Sequence, residues 1–476
     1  MAFDPALAAM SAVELRELIA SRKLSSVELM TSCIAQIERL NPKLNAIVTL
    51  AADQALDAAR RADSALARGD KVGPLHGLPV VIKDISETAG IRTTYASPLY
   101  RDNVPDSDCE AVSRLKSAGA IVLGKTNTPE FAAGANTVNS VFGATRNPWN
   151  TELSPAGSSG GSAVAVASGM VPLAHGTDFG CSLRMPASFC GLVGLRTTPG
   201  LVPNAPMVGA WDPGQVHGPL ARTAEDAALM LDGMTGFDGT WPISVPAPWG
   251  SALDAMRRAG GPAGKKFAFA PDLTGIGVEP EIDRLCRSAA KLLTDAGGHV
   301  EESDFRVPEA IETYQVLRAQ WMVEQQLKRL DQLDQIDPNL AGNVKLGLEQ
   351  SVLDLARAQH ARDAALNRFR DLFDTCDFLI TPTSPVEPFP VTQNFPTEIC
   401  GRELSSYTDW MAQCFLITLV SLVSVSVPVG LSRSGLPVGL QIVGPRLSEP
   451  AVLAIAAAIQ EAIQIGRPQL AQPDFG

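Results

Sequence analysis

Short runs that are apolar on both faces restrict most strongly how this chain can fold. A strand with one wet face alternates apolar and polar residues, and Pro79-Val80-Val81-Ile82 and Ala120-Ile121-Val122-Leu123 do not. Such strands have to be covered on both sides. Phe267 to Ala270, His299 to Glu302, Phe378 to Thr381, Val425 to Pro428 and Val438 to Val443 read as further strands, and another apolar stretch ends near His175. Between them the spacing turns helical. Leu15, Leu18, Ile19, Val27, Leu29, Met30, Ile34 and Ile37 place helices across residues 11 to 68, with Ser26 as the cap of the second. Residues 279 to 296, most of 307 to 375, and 450 to 465 are also helical, and a helix ends near Gly119. The small-residue run Ser162 to Ser168 predicts a tightly packed, buried helix. Residues 127 to 161 are loop-rich, and residues 236 to 264 read as a surface crossover. The expected class is α/β, a large mixed β-sheet core covered by helices on both faces.

Composition narrows the function. At 476 residues, with 45% hydrophobic and 19% charged side chains, the chain can fill and solvate a large core, which excludes disorder as its main state. The net charge is −12 and no basic run exceeds two residues, so a nucleic-acid partner is not expected. Eight cysteines show no C-x-x-C pair and five histidines no H-E-x-x-H spacing, so no metal and no other cofactor is expected. Scattered cysteines read as reduced thiols of a cytoplasmic protein. The first residues lack a basic segment followed by an apolar one, and Phe415 to Leu431 is broken by Ser421, Ser424, Ser426 and Pro428. Neither a signal peptide nor a membrane segment is expected.

Several motifs compete for the chemistry. Gly119 to Thr126 formally matches GxxxxGKT, but its middle is a β-like apolar run where a phosphate-cradling loop is needed. Gly157-Ser158-Ser159-Gly160-Gly161 formally matches the GxSxG elbow, but the segment before it, NPWNTELSPA, is loop rather than strand. His217 and His360 remain the formal candidates for a histidine base. Serine recurs in a second glycine-rich setting, Gly176 to Arg184, where glycine lets backbone N–H groups approach an oxyanion. Two surface loops rich in Gly and Ser are the plainer alternative. Lys83 follows the apolar Val80-Val81-Ile82. Buried there it would be a neutral base, and otherwise it would pair with Asp84 or extend to solvent.

Taken with GLPVVIKD at 77 to 84, KTNTPEFAAGANTVNSVFGATRNPWN at 125 to 150, the block from Ser154 to Thr198 and SVPVGLSRSGLPVGLQIVGPR at 426 to 446, these residues resemble the amidase signature family over nearly the whole chain. The resemblance implies one amidase domain over residues 1 to 476, with N-terminal helices to about 70, a signature core at about 71 to 235, and a remainder that completes the sheet and substrate pocket. It implies a Ser-cisSer-Lys triad in which Ser182 is the nucleophile, Ser158 the cis-serine and Lys83 the base. It implies an oxyanion hole from the backbone of Phe179, Gly180 and Cys181, a structural pair of Asp178 and Arg184, and support of the serines by the Thr177 hydroxyl.

The chain departs from the family pattern at three places: Cys181 and Ala156 stand where glycine is usual, and Thr197 where proline is. Residues 211 to 223 and 401 to 413 look most like stand-alone bacterial amidases that cleave aryl amides or urethanes. The implied partner is a small-molecule amide or carbamate, with a monomer or homodimer and no membrane. Tyr95, Phe142 and Trp211 are candidates to wall its pocket. The competing class is the glutamine-hydrolysing component of a tRNA-dependent amidotransferase complex.

Overall fold

The computed structural model describes residues 3–206 and 208–471. Eleven strands form one sheet: β1 Ile47–Leu50, β2 Pro79–Lys83, β3 Ile121–Thr126, β4 Leu173–Asp178, β5 Val193–Arg196, β6 Val216–Ala221, β7 Lys266–Phe269, β8 His299–Glu302, β9 Phe378–Pro382, β10 Val423–Leu431 and β11 Pro437–Gly444. Their order across it is β1-β3-β2-β4-β6-β5-β10-β11-β9-β7-β8. β2 is parallel to β3 and β4, and β7 to β8 and β9, while the central pairs from β4 to β9 are antiparallel. Every residue of β2, β3, β4, β6 and β11 is buried. Both faces are covered there, which is why these segments show no polar alternation. No helix among the described residues is long and apolar enough to cross a membrane.

The strands expected from apolar runs all form. β1 lies inside the stretch that reads as helical. It starts where Asn45, in the left-handed region at φ 50°, ends the helix Ser26–Leu44. That helix is capped by Ser25 rather than Ser26. The Ser25 hydroxyl accepts from Glu28 N, and the Glu28 carboxylate accepts from Ser25 N at 2.9 Å, a reciprocal capping box. The crossover at 236 to 264 contains the short helix Ala252–Ala259, capped by Ser251. β5 and β6 escape pattern reading because Gly194, Arg196, His217, Gly218 and Pro219 interrupt them. Proline in an inner strand argues against a strand on sequence alone.

The sheet delivers the site from the carboxyl ends of two neighbouring parallel strands. β2 ends on Lys83 and β4 on Asp178, in a register that pairs Val81 with Ala174. The small-residue helix forms over Gly160–Ala167 and is wholly buried. It packs so closely that a Cβ on Gly161 would lie 2.4 Å from Asn127 N. Gly124 of the GxxxxGKT match sits inside β3, where a Cβ would lie 2.3 Å from Thr49 O, so it is a strand glycine and not part of a phosphate loop.

Candidate active site

Lys83 is fully buried, and neither alternative considered for it occurs. It reaches no solvent, and Asp84 turns instead to Thr94, whose hydroxyl donates to its carboxylate. The Lys83 Nζ lies 2.6 Å from Ser158 Oγ and 3.0 Å from Thr177 Oγ1. Among the described residues it makes no ion pair. Burial pushes its pKa down to about 7, with Asp178 pulling the other way. A lysine so placed exchanges protons near neutrality.

Ser158 belongs to the turn that enters the small-residue helix, and the Gly157–Ser158 peptide bond is cis. Ala156, at φ 59°, occupies the left-handed region that favours glycine, so the usual residue there has a steric reason. Hydrogen bonds hold this substitution: Ala156 N donates to Ser154 Oγ, and Thr137 Oγ1 donates to Ala156 O at 2.8 Å. Ser182 lines the same pocket as Ser158 and Thr177, and Ser159 N donates to Ser182 O at 3.3 Å, tying the two serine loops together. Thr177 accepts from the lysine through its hydroxyl, and its backbone N–H and carbonyl bond the Ser159 hydroxyl beside Ser158.

The loop from Phe179 to Ser182 leaves its N–H groups without an acceptor among the described residues, while Leu183 N donates to Asp178 Oδ2. Asp178 and Arg184 pair, fully buried, at 2.9 Å. Burial alone would raise the Asp178 carboxyl, but Arg184 and Arg196 outweigh it and hold it at about 2. Arg184 also donates to Gly180 O, Cys414 O, Gln441 Oε1 and Thr418 Oγ1, fixing the loop against the helix Ala412–Leu419 and β11. Arg196 completes the cluster by donating to Asp178 O at 2.7 Å. A buried arginine inside the apolar GLVGLRTT was its only trace in the sequence. Thr197, at the position of the usual proline, donates its hydroxyl to His217 O at 2.9 Å.

The Cys181 thiol lies 3.4 Å from Met411 Sδ and 3.6 Å from Gly157 O. Burial drives its pKa well above the ordinary thiol value, which is the condition of an inert cysteine. Its side chain lines the pocket beside Ser182. Cys181→Ala and Cys181→Gly are expected to retain a working enzyme with an altered acyl preference, read as kcat/KM across an acyl series on one amine. Inactivity of both variants, with the fold intact by circular dichroism, would contradict this role.

Neither candidate histidine serves a serine. His217 faces His175, Nδ1 to Nε2 at 2.7 Å, and burial holds both rings' pKa values below the usual imidazole value. His360 is exposed on the helix Val352–Phe373. Of the aromatic candidates, Tyr95 lines a cavity beside the site. Trp211 is 77% exposed on the rim of another, and Phe142 packs under the Arg92 guanidinium and lines neither. Sequence reasoning missed Phe131, Tyr314, Arg318, Trp321 and Met411, which wall the pocket around Ser182. Phe131 lies within the 125 to 150 motif and Met411 within the 401 to 413 segment, while Tyr314, Arg318 and Trp321 come from a helix more than a hundred residues downstream that no local motif marks.

A family model described as Amidase matches residues 28–453. Over 480 aligned residues the chain is 35% identical to a glutamyl-tRNA(Gln) amidotransferase subunit of Desulforapulum autotrophicum, covering 94% of this chain and 96% of the relative. It is 33% identical to an acylamidase of Rhodococcus erythropolis, covering 94% of each. Among solved structures, a bacterial aryl acylamidase of the amidase signature enzymes superposes with a TM-score of 0.88 at 29% identity, covering 95% of this chain and 96% of that one.

Proposed function

We propose a mechanism and a substrate class from the premise that this chain belongs to the amidase signature family and hydrolyses amide C–N bonds. The mechanism is a Ser-cisSer-Lys relay through an acyl-enzyme. Its main support is the buried Lys83, without an ion pair among the described residues, at 2.6 Å from Ser158 Oγ. A serine hydroxyl is a poor nucleophile until a base takes its proton. Neutral Lys83 accepts a proton from Ser158, and Ser158 accepts one from Ser182 as Ser182 Oγ bonds the carbonyl carbon. The oxyanion forms against the free N–H groups of Phe179 to Ser182, which need no reorganisation to receive it. Ser158 then returns a proton to the nitrogen, the C–N bond breaks and the amine leaves. Water attacks the ester in the second half, passing its proton to the same relay, and Ser182 is restored.

The substrate class is a small-molecule amide, with aryl amides and carbamates foremost because both use the same acyl chemistry. Likeness to an acylamidase and to an aryl acylamidase structure supports this. The second reading, glutamine hydrolysis within an amidotransferase complex, is favoured by the 35% identity to the Desulforapulum autotrophicum protein. The test is a panel of anilides, carbamates and glutamine on the purified chain, with its mass in solution measured alongside. Anilide or carbamate turnover exceeding that on glutamine, by a chain that purifies alone as a monomer or homodimer, is the expected result. Efficient ammonia release from glutamine, or obligate co-purification with a second polypeptide, would reverse the assignment.

A further inference from the structure

The pocket at Ser182 has room for about 20 Å³, enough for one water, so the two halves of any substrate must extend into the spaces beside it. A cavity of about 620 Å³ adjoins it through Phe131, Trp321 and Met322. A smaller one of about 250 Å³ adjoins it through Phe179, Tyr314 and Arg318. The rings of Phe179 and Trp321, stacked with centroids 4.2 Å apart, stand between the two.

The larger cavity lies against residues 85 to 87, two to four positions beyond Lys83, and against His217, the cross-strand partner of Thr177. It is therefore on the side of the lysine and the cis-serine, while the smaller cavity is on the side of the loop that offers the free N–H groups. In amide cleavage the atom that needs a proton is the departing nitrogen. Given the relay proposed above, that proton comes from Ser158, so the departing amine has to lie on the Ser158 side.

The larger cavity has polar walls at Glu87, Asn103, Gln325 and Gln326 and one aromatic wall. Tyr95, Tyr100 and Phe131 cluster with centroids 5.1, 5.9 and 6.0 Å apart. Tyr95 and Phe131 both hold left-handed backbones, at φ 52° and 47°, and Phe131 N donates to Tyr95 O at 2.8 Å. Bulky residues rarely adopt that conformation, and such backbones collect at ligand clamps. The Arg329 guanidinium lies 4.8 Å from the Phe131 ring and donates to Tyr100 OH, and the Tyr95 phenol donates to Glu87. The rings are thus fixed in orientation before any ligand arrives. A further ring meets such faces edge-on or offset at these same separations.

We infer that the 620 Å³ cavity is the leaving-group subsite and receives the aromatic amine half of an N-aryl amide or carbamate. This rests on the relay through Ser158. The test measures kcat/KM on the anilides and N-methylamides of acetic and benzoic acid, for the wild type and for Tyr100→Ala. The variant should narrow the anilide-to-methylamide ratio about tenfold, the scale of one lost aromatic contact with its buried area. The benzoyl-to-acetyl ratio should stay within about twofold of wild type, because distant sites act independently. Ser107→Trp, an exposed substitution on the cavity rim, should narrow the same ratio and covers the case in which Tyr100→Ala folds poorly. A changed benzoyl-to-acetyl ratio with an unchanged anilide-to-methylamide ratio would assign the cavity to the acyl half and overturn the inference. Failure of the serine mechanism has a different signature, turnover that survives Ser182→Ala, and it would remove the subsite assignment as well.

Discussion

Ser182→Ala is expected to lower kcat on amides by at least about 10³-fold, the scale on which removing an acyl-enzyme nucleophile acts. Fold and stability should be little affected, because Ser182 is at the pocket surface, 8% exposed, and its hydroxyl braces no neighbour among the described residues. Intact-mass analysis after treatment with a phosphonyl fluoride or a slow carbamate should show one adduct, and peptide mapping should place it on Ser182. The neighbouring thiol is the informative competitor, since a thiol is intrinsically the stronger nucleophile. Cys181 lines the same pocket as Ser182, Ser158 and Thr177, but its thiol lies against Met411 Sδ and Gly157 O in a buried setting that raises its pKa and keeps it protonated. An adduct on Cys181, or substantial turnover by Ser182→Ala, would remove the serine assignment.

Lys83→Ala should cost far more activity on an amide than on an activated ester of the same acid. An amine is a poor leaving group until it is protonated, while a nitrophenolate departs unaided, so only the amide needs the full relay. The lysine also sets the pH dependence. Burial lowers its pKa to about 7, so the protonated form dominates below that pH and cannot accept from Ser158. Amide hydrolysis should therefore be low in acid, rise through about pH 7 and level off above it. A matched anilide and nitrophenyl ester, assayed from pH 5 to 9, decide the matter. Equal losses on both substrates in Lys83→Ala, or an amide profile flat through neutrality, would leave Lys83 a structural role.

Much of this protein is legible in its sequence because the informative signals are local. Short runs apolar on both faces and bounded by turn residues, as in β2, read as strands inside a covered sheet, and that reading holds whatever the strand order. The serines, the lysine and their glycine-rich loops lie in contiguous motifs, so a position-by-position resemblance locates Lys83, Ser158 and Ser182 without coordinates. Arg196 and His217 were less visible. They sit in strands whose apolar pattern is broken by glycine and Pro219, and their partners, Asp178 for Arg196 and His175 for His217, lie on another strand.

Tertiary structure decided the rest, since the deciding quantities are distances between residues remote in the chain. Whether Lys83 is a base depends on being walled from water and left without an ion pair. That follows from β2 lying beside β3 and β4 and from Arg184 and Arg196 engaging Asp178. Whether Cys181 is reactive depends on burial, to which Met411, 230 residues away, contributes a direct contact. The division of the substrate space by Phe179 against Trp321 depends on a helix from a separate part of the chain. The sequence by itself determined the sheet's covered character and the residue types available for catalysis, because hydrophobic burial and backbone conformation act over a few neighbouring residues. Only the folded arrangement set the protonation of those residues and the shape of their pocket, because desolvation and packing are properties of everything that surrounds a group.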